Sequence, residues 1–209
     1  MSDITKAGNK SSKTITKKTL ILLASGVSLP AAFLLANGEK IAKEARAEWR
    51  EFSGKRLKET VIRLKNRGLI DLRDISGEKV FVLTEKGNKK IQRYIIDEMD
   101  IEIPKKWDGM WRIVIFDIPE SRRGARQIFV KKLKDLGFCQ IQRSVFVHPF
   151  ECRDEIDFLK EALEIKDCAT YIAADSISGD DKIKEFYVKK AGGGKEEEAM
   201  KRYFSYPHK

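Results

Sequence analysis

The chain has 209 residues, 42% of them hydrophobic and 35% charged, with a formal net charge of +10. That length suits one large or two small domains, and the hydrophobic fraction is enough for ordinary cores. Three cysteines, Cys139, Cys152 and Cys168, are odd in number, widely spaced and free of any CxxC; they argue against a disulfide framework or zinc ribbon and fit a reducing cytoplasm. Two histidines, His148 and His208, are too few for a histidine-based metal site. Residues 1–106 hold 23 Lys and Arg against 14 Asp and Glu, a net of +9, whereas residues 107–209 hold 19 against 18, a net of +1. Attraction for polyanions therefore belongs to the N-terminal half.

Residues 1–16 are polar and basic and read as a disordered tail. The apolar run from Leu20 to Ala36 follows a basic start but is broken by Gly26, Ser28 and Pro30. It is too short to span a bilayer, so no membrane contact is expected. It reads instead as a buried helix over 17–24, then a turn and a second apolar segment. Residues 39–52 have helical character, with Ile41, Ala45, Trp49 and Phe52 roughly on one side. Ser53 can cap a further helix running to Arg67. Leu57, Val61 and Leu64 fall on one face of it, while Lys55, Arg56, Arg63 and Arg67 lie mostly off that face, and Gly68 is a natural stop.

Leu69 to Leu72 and Val80 to Leu83 flank Ser76-Gly77, which predicts a β-hairpin with a turn at its tip. Thr84 then caps a helix to about Met99. Helices, a basic helix, a hairpin and a closing helix are the order of a winged helix-turn-helix over 17–99. Such a helix can enter a major groove while Arg73 and Lys79 of the hairpin touch phosphates beside it. The expected partner is double-stranded DNA.

Residues 100–106 read as an interdomain linker. Trp111 to Asp117 is a strongly apolar strand stopped by an acidic residue and a proline. A helix over 121–136, strands over 138–142 and 144–148, a helix over 153–164 and a strand over 170–174 follow. This βαββαβ order is the ferredoxin-like unit, expected to occupy 107–190, and the fold class is therefore α+β. Trp107 and Trp111 read as anchors of the linker on the sheet. Residues 191–209 read as a flexible tail, whose Tyr203, Phe204 and Tyr206 either dock on a partner or stay disordered. The run Gly192-Gly193-Gly194 is not a phosphate loop, because no Ser or Thr follows Lys195.

Trp111-Arg112-Ile113-Val114-Ile115-Phe116-Asp117-Ile118-Pro119-Glu120, with Arg122, Arg123, Leu136-Gly137-Phe138 and Ser144-Val145-Phe146-Val147, resembles the central domain of PaaX-type transcriptional repressors. That domain is itself similar to the small ferredoxin-like nuclease of CRISPR spacer acquisition, the Cas-two family. Residues 17–99, including Leu83-Thr84-Glu85-Lys86-Gly87, resemble the winged helix that precedes it in the PaaX-type proteins. The resemblance implies a homodimeric DNA-binding regulator without a cofactor and with no identifiable effector. The longer C-terminal domain usual in that family is replaced here by a short tail, against effector sensing of that family's kind. The Cas-two side of the resemblance implies that Asp117 and its twofold mate hold Mg²⁺ for phosphodiester hydrolysis. Alternatively, Asp117 accepts backbone N–H groups at the next helix or pairs with Arg122 or Arg123.

Overall fold

The computed structural model describes residues 3–31 and 54–205, in two compact units that divide between Ile95 and Ile96. The first unit contains α1 (Asp3–Ala24), β1 (Leu29–Pro30), α2 (Gly54–Asn66), β2 (Ile70–Ile75) and β3 (Glu78–Leu83), and α3 (Glu85–Glu98) begins in it. The three strands form an antiparallel sheet in the order β1-β3-β2. Leu20, Leu29, Leu57, Val61, Leu64, Ile70, Phe81 and Ile91 make its core. Leu57, Val61 and Leu64 recur at helical spacing, so α2 offers one apolar stripe to that core and keeps its basic residues outside.

Two sequence expectations change here. Residues 3–16, read as a disordered tail, continue α1 toward the N-terminus. Thr16, at the end of that stretch, is buried, as is Thr19, whose Oγ1 donates to the Ile15 carbonyl. Leu29 and Pro30, read as part of a second apolar segment, pair with Phe81 and Val80 as a third strand. The expected helix over 39–52 and the Ser53 cap lie outside the described residues. Among the described residues no helix is long and apolar enough to cross a membrane.

The second unit contains β4 (Trp111–Phe116), α4 (Arg123–Asp135), β5 (Cys139–Gln142), β6 (Val145–His148), α5 (Arg153–Ala162), β7 (Ala169–Ala174), α6 (Asp181–Lys190) and α7 (Lys195–Ser205). Its antiparallel sheet runs β5-β6-β4-β7. A βαββαβ chain with the first and third strands central is the ferredoxin-like arrangement. Val114, Phe116 and Phe146 point to one face; Phe116 meets Phe129 of α4 edge-on at 5.4 Å and stacks on Phe146 at 5.9 Å. Trp111, Ile113 and Ile115 point to the other face.

The C-terminal segment also departs from expectation. Residues 195–205, read within a flexible tail, form α7, and its aromatic side chains pack on their own unit. Phe204 stacks on Trp111 at 5.8 Å and meets Trp107 edge-on at 5.1 Å. Tyr203 donates to the Pro104 carbonyl and lies 5.5 Å from Phe150. The linker is packed as well, with Ile101 buried in this core. Tyr206 and His208 lie outside the described residues. The anchoring role of the tryptophans is visible: Trp107 Nε1 donates to Pro149 O at 2.7 Å and Met110 O at 3.1 Å.

Arg112 is the polar centre of this unit. It is 3% exposed in β4, and its guanidinium donates from all three nitrogens. Nη1 reaches Asp108 Oδ1 at 2.7 Å and Met110 O at 2.6 Å, while Nη2 reaches Asp108 Oδ2 and, at 3.0 Å, Glu151 Oε2. The other Glu151 oxygen accepts from Tyr171 Oη at 2.9 Å and Arg153 N at 3.0 Å. One arginine thus ties the segment before β4 to the loop after β6, and through Glu151 to β7. Hydrogen bonding to Arg112 holds the Asp108 carboxyl below its ordinary value. Burial opposes the same shift at Glu151, but Arg112 and Tyr171 outweigh it.

Candidate nucleic-acid interface

The solvent side of α2 collects most of the basic residues picked from the sequence. At 100° per residue, Leu57, Thr60, Val61 and Leu64 define the buried stripe, and Lys55 falls nearly opposite it. Arg56, Arg63 and Arg67 fall on one flank. Lys58 and Lys65, which the sequence reading did not single out, are exposed on the other flank. The same periodicity that puts Lys55 opposite the stripe puts both of them off it. Among the described residues, Lys55, Arg56, Lys58, Lys65 and Arg67 have no hydrogen-bonded or ionic side-chain partner.

Arg63 differs from its neighbours. It is half-buried, and its Nη2 donates to Thr60 Oγ1 at 3.1 Å and to Thr16 Oγ1 of α1 at 3.2 Å. It braces α2 against α1. Periodicity puts Arg63 beside Arg56 and Arg67 but cannot reveal that α1 passes that flank with a threonine.

The hairpin forms with the expected tip. Ser76 and Gly77 have φ of 55° and 84°, and Asp74 Oδ1 accepts the Gly77 N–H at 2.9 Å. Two successive left-handed residues match the strand twist, which makes Ser76-Gly77 a tight connection. Arg73 pairs with Val80, and Asp74 pairs with Lys79. Paired residues share a face and successive residues alternate. Arg73 and Lys79 therefore leave the hairpin from opposite faces, although both are exposed. The two do not make one patch.

Asp117 follows the last residue of β4 and is exposed. Its backbone N–H donates to Cys168 O at 2.8 Å. The expected pairing with the next helix is not made. Arg122 donates to the Glu164 carbonyl, Arg123 approaches Glu120 at 3.7 Å, and the turn that opens at Glu120 has no side-chain cap. Among the described residues no group of three or more Asp, Glu, His or Cys is placed to hold a metal ion. Mg²⁺ usually takes one or two carboxylates together with substrate phosphates, and Asp117 alone supplies the lower number. Two Asp117 residues brought together by a second copy would supply the higher number.

The two buried thiols are not reactive groups. Burial pushes the Cys152 thiol up to about 12 and raises Cys139, so neither is a thiolate near neutral pH.

Residues 104–185 match the family model described as the PaaX protein central Cas2-like domain. The matched stretch contains β4 through β7, so the second unit is similar to that Cas2-like domain, and residues 1–103 lie outside the match. No curated protein matches the chain.

Proposed function

We propose that the chain is a DNA-binding transcriptional regulator of repressor type. The first unit is its winged helix, with α2 in the major groove and one face of the β2–β3 hairpin against the backbone. The observation that carries this reading is the α2 surface: five cations without side-chain partners among the described residues, on a helix whose other face is fixed in a core. An unneutralised basic helix is stable on the surface only by hydration, and phosphate contacts would replace that hydration. The PaaX-type second unit supports the same reading.

In this reading the second unit dimerises. Ile115 is 40% exposed and Ile172 is 38% exposed, on the sheet face turned away from α4. Half-buried Ile113 and Val145 adjoin them. A β-branched face at the centre of a sheet is an apolar surface suited to a second copy, and a twofold pair would place two α2 helices on a pseudo-palindrome. Ile115→Glu should convert a dimer to a monomer by analytical ultracentrifugation; a wild-type chain that is monomeric at high concentration would exclude the arrangement.

The deciding experiment is fluorescence anisotropy of the gene's own upstream DNA against a scrambled duplex, with Mg²⁺ present. A large preference for the upstream DNA supports the regulator. Equal binding to both removes the sequence-specific form of it.

A second reading, a metal-dependent nuclease of Cas-two type, is favoured by the exposed Asp117 carboxylate, which has no hydrogen-bond or ionic partner among the described residues. It requires cleavage that depends on Mg²⁺ and is lost in Asp117→Asn.

A further inference from the structure

Helix α2 presents more than cations to solvent. Taking about 100° per residue from Lys55, Ile62 and Asn66 fall within about 20° of it and Glu59 at about 40°. These side chains form the line directly opposite the buried stripe, and all of them are exposed. Lys58 and Lys65 lie about 60–80° to one side of Lys55, and Arg56 and Arg67 about 100–120° to the other. The flanks are uniformly cationic, whereas the centre line holds an ammonium, a carboxylate, a branched alkyl group and an amide.

Two of these residues are out of place on a helix that meets phosphate alone. Ile62 is 45% exposed, and it is the one apolar residue of α2 off the buried stripe. Its exposed part adds nothing to the core. Glu59 has Lys55 four residues before it and Arg63 four after, the spacing at which helix ion pairs form. Among the described residues neither pair is made. The Glu59 and Asn66 side chains have no hydrogen-bond or ionic partner there, and Arg63 turns to Thr60 and Thr16 instead. A carboxylate in the middle of a phosphate-binding face repels the ligand that the flanks attract.

A B-DNA major groove resolves the conflict. It is about 12 Å wide, close to the diameter of a helix with its side chains, about 10–12 Å. A helix lying in it turns its flanks to the two phosphate walls and its centre line to the base edges. Phosphates are chemically uniform, as the flanks are; base edges differ from one another, as the centre-line residues do. At a base edge a carboxylate accepts from the cytosine amino group, and an alkyl group meets the thymine methyl. Along the helix axis Glu59 and Ile62 are about 4.5 Å apart, between one and two base-pair steps of about 3.4 Å.

We propose that Glu59 and Ile62 set the sequence preference of α2, Glu59 by accepting from a cytosine amino group and Ile62 by packing on a thymine methyl group one or two base pairs away. Arg56, Arg67, Lys58 and Lys65 then supply affinity without choosing bases. The inference rests on the DNA-binding reading and adds to it the bases that are read.

The test selects bound duplexes from a randomised pool with the full-length chain, Glu59→Ala and Ile62→Ala. Both side chains are exposed, so neither change opens a cavity. The wild type should enrich a motif with a C·G and a T·A pair one or two steps apart. Glu59→Ala should lose about tenfold in preference for the cytosine, and Ile62→Ala should lose the preference for the thymine, each at its own position. Deoxyuridine in place of that thymidine removes one methyl group. It should weaken wild-type binding about fourfold and make no difference to Ile62→Ala. A motif that is the same in both variants, or a wild type indifferent to deoxyuridine at every thymidine of the motif, overturns the proposal while the regulator reading stands. Duplexes retained without any motif also overturn it and leave a backbone binder. Retention of no duplex overturns both the proposal and the reading beneath it.

Discussion

Gly87, in the first turn of α3, lies against the carbonyl oxygen of Leu69, so that a Cβ built on it would come within 2.0 Å of that oxygen. The contact closes a seam between the end of α2 and the exit of the hairpin. Thr84 N donates to Leu69 O at 3.1 Å, Thr84 Oγ1 donates to Gly68 O at 2.6 Å, and Lys86 Nζ donates to Arg67 O at 2.8 Å. Thr84 Oγ1 also accepts the Gly87 N–H at 3.1 Å, an N-cap bond. The motif Leu83-Thr84-Glu85-Lys86-Gly87 is therefore architectural: it fixes the basic helix relative to the hairpin.

Gly87→Ala must push the backbone away from Leu69, because a carbonyl in that seam cannot rotate aside. The expected destabilisation of the first unit is about 1–3 kcal/mol. Thr84→Ala removes the cap and the bond to Gly68 O without any steric clash, and should cost about 1 kcal/mol. Hydrogen exchange of α2 and hairpin amides should register both, with the larger loss of protection in Gly87→Ala. Equal protection in Gly87→Ala and the wild type would contradict the close approach.

The α2 arginines should separate by role. In a duplex-binding assay across a KCl series, Arg56→Ala and Arg67→Ala should each flatten the log–log salt slope by about 0.9 if each contacts one phosphate. Lys58→Ala and Lys65→Ala test the opposite flank in the same way. Arg63→Ala should leave the slope nearly unchanged and instead lower stability by about 1 kcal/mol through loss of its bonds to Thr16 and Thr60. A slope change as large for Arg63 as for Arg67 would return Arg63 to the interface.

That contrast shows what the sequence could and could not convey. The stripe of Leu57, Val61 and Leu64, the Ser76-Gly77 tip and the βαββαβ order were legible because each rests on local periodicity or turn chemistry. The partner of Arg63 was not, because Thr16 lies 47 residues away. The same limit hid α7. Its Tyr203 and Phe204 find Pro104 and Trp111 only after the chain has folded back, and a charged segment following three glycines otherwise resembles a tail. Strand alternation did place Arg73 and Lys79, once the register was known, on opposite faces.

Arg112 should resist conservative replacement. Its fork serves Asp108 and Glu151 together with two backbone carbonyls, and an ammonium cannot reproduce that geometry. Arg112→Lys should lose most of what Arg112→Ala loses. Breaking a buried pair of this kind costs about 3–5 kcal/mol. The value here should fall near the lower figure, since the Asp108 and Glu151 side chains are 52% and 63% exposed and rehydrate readily. Urea unfolding followed by the fluorescence of Trp107 and Trp111, which flank the cluster, measures the difference. A Lys variant as stable as the wild type would show that charge alone matters.

His148 predicts an acid sensitivity with a defined window. Burial holds its folded value at about 4, below the ordinary 6.5, so the unfolded chain takes up a proton that the folded chain refuses. Stability is therefore complete above about pH 6.5 and declines as the pH falls toward 4, by up to about 1.4 kcal/mol per pH unit. From pH 7 to pH 5 the second unit should lose about 2 kcal/mol. Asp108 and Glu151 are also held low, but their contributions are lost only as the pH falls through the carboxylate range, from ordinary values of 3.8 and 4.5. They do not account for a loss between pH 6.5 and 5. His148→Phe keeps the ring among Phe138, Phe150 and Tyr187 while removing the titrating group, and the Phe150 N–H then loses its acceptor. The variant should be less stable at pH 7 yet nearly flat between pH 7 and 5. Urea midpoints at the two pH values for both proteins decide the matter: a wild-type midpoint that does not move, or a variant that falls as steeply, would remove His148 as the source.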